Sequence, residues 1–194
     1  MNYLLHALLS DDDDLVRVGN LLGDFVKGRL DEGRFPPRLL HGSKQHRRLD
    51  RLAHDHPVFC QSQQRLDNRF GRYRGIMIDL FYDHFTALDW DHYHPVPLEQ
   101  FLQNLYRTLQ QHQTALPPTF LPLLPRMIEK DWLTSYRDKA VMHRALQHVA
   151  GKIRYDNPLA DGYSELERHY DALRDDCGQF IQDARHRLTD KNFS

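Results

Sequence analysis

The chain has 194 residues, with 26 Lys+Arg against 27 Asp+Glu, 40% apolar and 27% charged residues, 13 histidines and two cysteines. That length allows a substantial core, and the composition excludes a disulfide-stapled miniprotein and a largely disordered chain. The apolar runs break well short of the ~20 residues a membrane helix requires, and no charged-then-apolar leader opens the sequence. A cytoplasmic protein without disulfides is expected, since Cys60 and Cys177 are too isolated for a thiolate zinc site or a disulfide framework.

Helical periodicity runs through nearly the whole sequence, and no alternating stretch is long enough for a strand, so the fold class predicted is all-α, in one domain over 1–194. His6 interrupts the apolar run of Tyr3, Leu4, Leu5, Ala7, Leu8 and Leu9. The acidic residues at 11–14 suit a helix start, after which Leu15, Val18, Leu21, Leu22, Phe25 and Val26 recur at helical spacing until Gly28 and the 33–37 segment stop them. A second helix is predicted over 37–55, ended by Pro57, and a third over 58–69. The 76–90 segment, with Met77, Leu80, Phe81, His84, Phe85 and Leu88, reads as a helix central to the core. Further helices are predicted over 98–113, 132–149 and 163–188, with a proline-interrupted segment before the second of these and a loop over 151–162.

Charge is unevenly spread. Residues 25–74 carry 12 Lys+Arg against five Asp+Glu, a net of +7 within a chain whose total is −1. Arg47, Arg48 and Arg51, followed by Arg65, Arg69, Arg72 and Arg74, could present guanidinium groups to an acidic partner or to phosphate, or simply form a solvated face with local ion pairs.

Certain polar residues stand out by where they fall. His46 and Asp50 are four apart in a predicted helix and share a face, so both can meet one ion. Asp79, Asp83 and His84 interrupt an apolar helix, and Asp24 interrupts Leu21, Leu22, Phe25 and Val26. A carboxylate on a core face must be paired, protonated or coordinated, because burying it alone is costly. Asp24 is thus a ligand or a buried ion-pair partner, Asp83 and His84 are ligands or satisfied core groups, and Gly23 allows close approach of another helix or a ligand. The inventory of His6, Asp24, His46, Asp50, Asp79, Asp83 and His84, without a cysteine, suits Mn²⁺, Mg²⁺, Fe²⁺ or Zn²⁺ and metal-assisted hydrolysis. Serine-hydrolase, P-loop, zincin and dinucleotide-binding signatures are absent from the sequence.

Several of these segments also carry a family likeness. Met1-Asn2-Tyr3-Leu4-Leu5-His6, Gly19-Asn20-Leu21-Leu22-Gly23-Asp24-Phe25-Val26-Lys27-Gly28, His46-Arg47-Arg48-Leu49-Asp50 and Asp79-Leu80-Phe81-Tyr82-Asp83-His84-Phe85 resemble the acyl carrier protein phosphodiesterases. Trp132-Leu133-Thr134-Ser135-Tyr136-Arg137-Asp138 and His169-Tyr170-Asp171-Ala172-Leu173 extend the likeness over nearly the whole chain. The resemblance implies a helical bundle of divergent HD-like architecture that hydrolyses holo-acyl carrier protein to apo-protein and 4′-phosphopantetheine, with a divalent ion, Mn²⁺ favoured. The sequence departs from the usual HD pattern, since Asp83-His84 reads in reverse order and the isolated Asp24 comes before it.

On that reading the ion is held by some of His6, Asp24, His46, Asp50, Asp83 and His84; Asp24, Asp79 and Asp83 are the catalytic candidates. Arg47, Arg48, Arg51 and Lys27 are candidates for binding phosphate or an acidic carrier protein; neither nucleic acid nor membrane is expected as a partner. An HD-type phosphohydrolase acting on free nucleotides or another small phosphoester, and a non-catalytic binding module, are the alternatives. Of the thirteen histidines only His6, His46 and His84, with His169 a weaker fourth, fall in these segments. The other nine read as surface or capping residues.

Overall fold

The computed structural model describes residues 2–30, 33 and 35–189. Its α-helices are Tyr3–Leu8 (α1), Asp14–Leu21 (α2), Pro37–Asp55 (α3), Pro57–Arg65 (α4), Arg74–Leu88 (α5), Trp90–Tyr93 (α6), Leu98–Gln111 (α7), Leu124–Glu129 (α8), Trp132–Ser135 (α9), Lys139–Lys152 (α10), Tyr163–Arg168 (α11) and Tyr170–Thr189 (α12). No strand occurs among the described residues, as the periodicity predicts, and none of their helices is long and apolar enough to cross a membrane. The chain forms two compact units. One is Tyr3–Arg51 with Asp89–Ser135, and the other is Leu52–Leu88 with Met1–Asn2 and Tyr136–Ser194.

In the first unit every residue of α1 is buried, and α1 packs on α2. The acidic cluster does start α2: the Asp13 side chain accepts from the backbone N–H groups of Leu15 (3.0 Å) and Val16 (2.9 Å), satisfying two donors that a helix start leaves unpaired. The amphipathic α7 turns Leu98, Phe101, Leu102, Leu105, Tyr106 and Leu109 inward, spaced three and four apart, and packs against α2. Phe25 bridges Tyr3 and Phe120 through ring contacts.

In the second unit α5 is buried from Met77 to Ala87 except at Asp79, and α4, α10 and α12 pack on it. Phe59, Tyr82 and Phe180 form an aromatic cluster. Beside it, buried Asp176 accepts from Arg65 Nε (2.7 Å) and Nη2 (3.1 Å), from Ser62 Oγ (2.8 Å) and from Gln61 Nε2 (3.1 Å).

The structure differs from the periodicity at several boundaries. The helix predicted to run to Val26 ends at Leu21, followed by a 3₁₀ turn, Gly23–Phe25. The stop expected over 33–37 includes Arg34, which lies outside the described residues, as does Met1. The run predicted over 132–149 is two helices, because Asp138 caps a new start by accepting from Ala140 N (2.8 Å). The terminal helix is interrupted at His169, next to a buried Glu165 that accepts from Asp67 N (2.8 Å) and Arg168 Nη1 (2.8 Å). His56 occupies the N-cap position of α4, yet its ring is buried against Phe180 rather than exposed.

Candidate metal centre

Two glycines bring α2 and α3 into backbone contact. A Cβ at Gly19 would overlap the Leu39 carbonyl, and one at Gly42 would overlap the Val16 carbonyl, so no larger residue permits this crossing. Ser43 Oγ seals it by donating to the carbonyls of Leu39 (3.2 Å) and Gly19 (3.3 Å). One turn beyond Gly42 on the same face of α3 is His46, which therefore meets the last turn of α2. That turn presents carbonyls without the usual partner four residues on, because the helix stops at Leu21, and from the backbone the Asn20 carbonyl meets only the Leu22 N–H of the cap. The carbonyl of Asn20 accepts from His46 Nδ1 at 2.7 Å. From α1, His6 Nδ1 lies 2.8 Å from the Asn20 side-chain oxygen.

Both rings are thus held by their inner nitrogens and stack on each other, centroids 3.9 Å apart and planes 21° from parallel. Their outer nitrogens converge on two carboxylates. His6 Nε2 is 3.2 Å from Asp50 Oδ1, and His46 Nε2 is 3.2 Å from Asp50 Oδ2 and 3.5 Å from Asp24 Oδ1. One donor atom from each of His6, His46 and Asp50 lies within 4.8 Å of the others. Both histidines are buried, and both carboxylates reach solvent. A cleft of about 190 Å³ opens over them, lined by Gly23, Asp24, Val26, Lys27, Gly28, His46, Arg47 and Asp50.

The electrostatics are those of a site that attracts a cation. Burial lowers the His6 imidazole below its ordinary value, which Asp50 opposes and His46 reinforces. Burial works against charge on His46 too, but Asp24 and Asp50 overcome it and raise that imidazole to about 9. His46 holds the Asp24 carboxyl below its usual range. Asp50, which burial alone would raise, is held far below that range by His46 and His6.

A divalent ion fits these residues. With Nδ1–H donated to oxygens of Asn20, each imidazole aims Nε2 at carboxylate oxygens; without a metal a proton occupies His46 Nε2 between Asp24 and Asp50, and a divalent ion can take the place of that proton. Two nitrogens and two carboxylates, with no thiolate, match Mn²⁺, Fe²⁺ or Zn²⁺ chemistry, and the cleft leaves room for oxygen ligands from solvent or substrate.

Comparison with known proteins identifies the family. The description "Acyl carrier protein phosphodiesterase" belongs to the family profile that matches residues 1–184. This chain belongs to that family. It is 32% identical over 181 residues to the acyl carrier protein phosphodiesterase of Escherichia coli O45:K1, covering 93% of each chain. To the protein of the same name from Photorhabdus laumondii it is 30% identical over 171 residues, 88% of this chain and 86% of that one. No solved structure matches.

Among the residues singled out from the sequence, this member of the phosphodiesterase family brings together His6, Asp24, His46 and Asp50 in its first unit. Gly23 makes the close approach its size allows, against the His46 ring. Lys27 and Arg47 line the cleft; Arg47 Nη2 donates to the carbonyls of Val26 (3.0 Å) and Gly28 (2.7 Å), tying α3 to the loop after Phe25. Arg51 is exposed and Arg48 half-buried on α3. Asp79, Asp83 and His84 belong to the second unit. There Asp79 Oδ1 accepts from Asn2 Nδ2 (3.4 Å), Asp83 is fully buried, and both His84 nitrogens are engaged, Nδ1 with the Tyr136 carbonyl (2.6 Å) and Nε2 with the Tyr170 hydroxyl (2.8 Å). Asn20, the residue that joins the two histidines, drew no attention from the sequence. Its one signal there is its position just before the apolar pattern is broken by Gly23 and Asp24.

Proposed function

We propose that the chain hydrolyses the phosphodiester joining 4′-phosphopantetheine to a serine of holo-acyl carrier protein, with a divalent ion, Mn²⁺ ahead of Mg²⁺, Fe²⁺ or Zn²⁺, held by His6, Asp24, His46 and Asp50. The observation that carries this reading is the pair of buried imidazoles whose outer nitrogens converge with two carboxylates under a cleft that Lys27 and Arg47 also line. The names of the relatives supply the substrate, as proteins acting on acyl carrier protein.

Bound there, the ion supplies Lewis-acid polarisation of a phosphoryl oxygen and lowers the pKa of water. The protein groups do the rest. Lys27 and Arg47 bind the non-bridging phosphate oxygens, Arg47 through Nε and Nη1, since its hydrogen bonds to the loop use Nη2 alone. Water adds to phosphorus and yields a proton to the half-exposed Asp24 carboxylate. The bond from phosphorus to the serine oxygen breaks, that oxygen takes up the proton Asp24 received, which restores the carboxylate, and the products are apo-carrier and 4′-phosphopantetheine. This assignment uses groups of the first unit alone; in the second, His84 already spends both nitrogens on Tyr136 and Tyr170. Exposed Arg47 and Arg51, one turn apart on α3, form the docking edge for an acidic carrier.

The test is incubation of purified protein with holo-acyl carrier protein and Mn²⁺, with and without chelator, read by carrier mass. Loss of the phosphopantetheine mass only in the chelator-free arm is expected. Full activity after exhaustive chelation would remove the ion from the proposal, and turnover of free nucleotides without any effect on the carrier would replace the substrate.

A further inference from the structure

We infer that Asn20 is the positioning residue of this centre, one side chain and one carbonyl that together preset the tautomer and the rotation of both histidines. The inference rests on the metal reading above and adds to it a residue that touches no ion.

The argument starts from which groups can donate. A main-chain carbonyl only accepts, so the 2.7 Å contact from His46 Nδ1 to the Asn20 carbonyl requires a proton on Nδ1 and leaves Nε2 as the ligating nitrogen. On the His6 side, the Asn20 side-chain oxygen at 2.8 Å imposes the same tautomer. A ring flip at either histidine would break its bond to Asn20 and turn carbon toward Asp50. One residue therefore sets ligands that arrive on two helices, α1 and α3, and keeps their rings stacked. Asn20 is itself 1% exposed, and its Nδ2 has no hydrogen-bond partner. Packing alone would favour leucine, which has nearly the same size and no buried amide to leave unsatisfied. What asparagine supplies here and leucine cannot is the oxygen facing His6.

The experiment compares wild type, Asn20→Leu and Asn20→Asp, each freed of metal with chelator and titrated with Co²⁺, whose visible absorption reports coordination. Asn20→Leu is expected to weaken Co²⁺ binding roughly 10- to 100-fold with unchanged far-UV circular dichroism, the size usual for an outer partner of a ligating histidine. Asn20→Asp keeps an oxygen acceptor and is expected to recover binding to within about threefold of wild type on the same reasoning. A folded Asn20→Leu protein that binds like wild type overturns the inference, and so does an Asn20→Asp protein as weak as Asn20→Leu. Nitrogen-15 NMR of the His6 ring in metal-free wild type gives an independent answer even if Asn20→Leu does not fold: Nδ1–H is expected, and the Nε2–H tautomer overturns the inference. Wild type that binds no Co²⁺ would sink the metal reading, and the tautomer measurement would still decide the role of Asn20.

Discussion

Replacing Gly23 with alanine tests the site through steric displacement rather than removal of a ligand. Gly23 abuts the face of His46, and an added Cβ would overlap Cγ, Cδ2 and Cβ of that residue. These are the inflexible root and ring of the side chain. To restore ordinary carbon–carbon contact, from 2.1 Å to 3.4 Å at His46 Cγ, the imidazole must retreat by at least about 1.3 Å, whereas metal–ligand distances tolerate about 0.2 Å. The same retreat stretches the 2.7 Å bond to the Asn20 carbonyl that orients the ring. Loss of that orientation alone is worth roughly 10- to 100-fold in affinity, and loss of the ligand adds to it. Gly23→Ala is therefore expected to weaken Mn²⁺ binding by at least about 100-fold, close to 3 kcal/mol at 1.4 kcal/mol per decade. Overpacking should also cost about 1–3 kcal/mol of folding stability.

The assay is calorimetric titration of chelator-treated protein with Mn²⁺, with denaturant unfolding on the same preparation. Gly151→Ala is the control, since a Cβ there meets nothing within 4 Å, and its helical position should gain stability, by about 0.5–1 kcal/mol, without a change in binding. A folded Gly23→Ala protein with wild-type Mn²⁺ affinity would refute the claim that the ring pressed against Gly23 holds the ion.

Three further outcomes are expected. In metal-free protein His46 titrates near 9 against an ordinary 6.5, so its contribution to stability is fully present below 6.5 and is lost as pH rises through 9. Denaturant unfolding of the chelated protein should weaken by about 1–2 kcal/mol from pH 7 to pH 10, less than the full shift implies because Asp24 and Asp50 are 40% and 55% exposed; His46→Gln should flatten the slope. Charge reversal by Arg51→Glu should raise KM for the carrier several-fold at low salt and little at high salt, and a salt-independent effect would remove Arg51 from the docking edge. Asp176→Ala should cost about 3–5 kcal/mol in thermal or denaturant unfolding by stranding Arg65 and Ser62, while leaving Mn²⁺ affinity unchanged if the second unit takes no part in the metal centre.

Much of the fold was legible, because helix periodicity survives wherever one face is buried. The breaks at 136–138 and at His169 were not, since Asp138 begins a new helix inside a run whose periodicity continues across it. The pairing of His46 with Asp50 follows from four-residue spacing on one helix, and Asp24 stood out as an acid among apolar neighbours. The same local reasoning selected Asp79, Asp83 and His84 with equal force. A polar group in an apolar helix announces only that something satisfies it, and for His84 that something is a carbonyl and a tyrosine hydroxyl brought by residues 52 and 86 positions away. His6 and His46 were grouped as candidate ligands by residue type and by the resemblance, whereas their stacking was not legible from spacing: the α2–α3 crossing depends on Gly19 and Gly42, whose missing side chains matter only once both backbones are in contact.

Helix termination, more than any motif, explains why the centre lies where it does. Had the apolar pattern from Leu15 to Val26 continued as one helix, the Asn20 carbonyl would have been consumed by the N–H of residue 24, and His46 would have met a satisfied backbone. Ending the helix at Leu21 spares that carbonyl the N–H of residue 24 and leaves it shared between the Leu22 N–H and His46 Nδ1, and the turn that follows carries Asp24 back toward His46 with no side chain on Gly23 to obstruct it. The negative end of α2 then faces the inner nitrogen of His46 and makes the outer one a better donor, whether to a proton or to a metal ion. A short helix and a glycine thus account for the positions of His46 and Asp24, two of the four residues proposed to hold the ion, while Asp24 and Asp50 account for the raised basicity of His46.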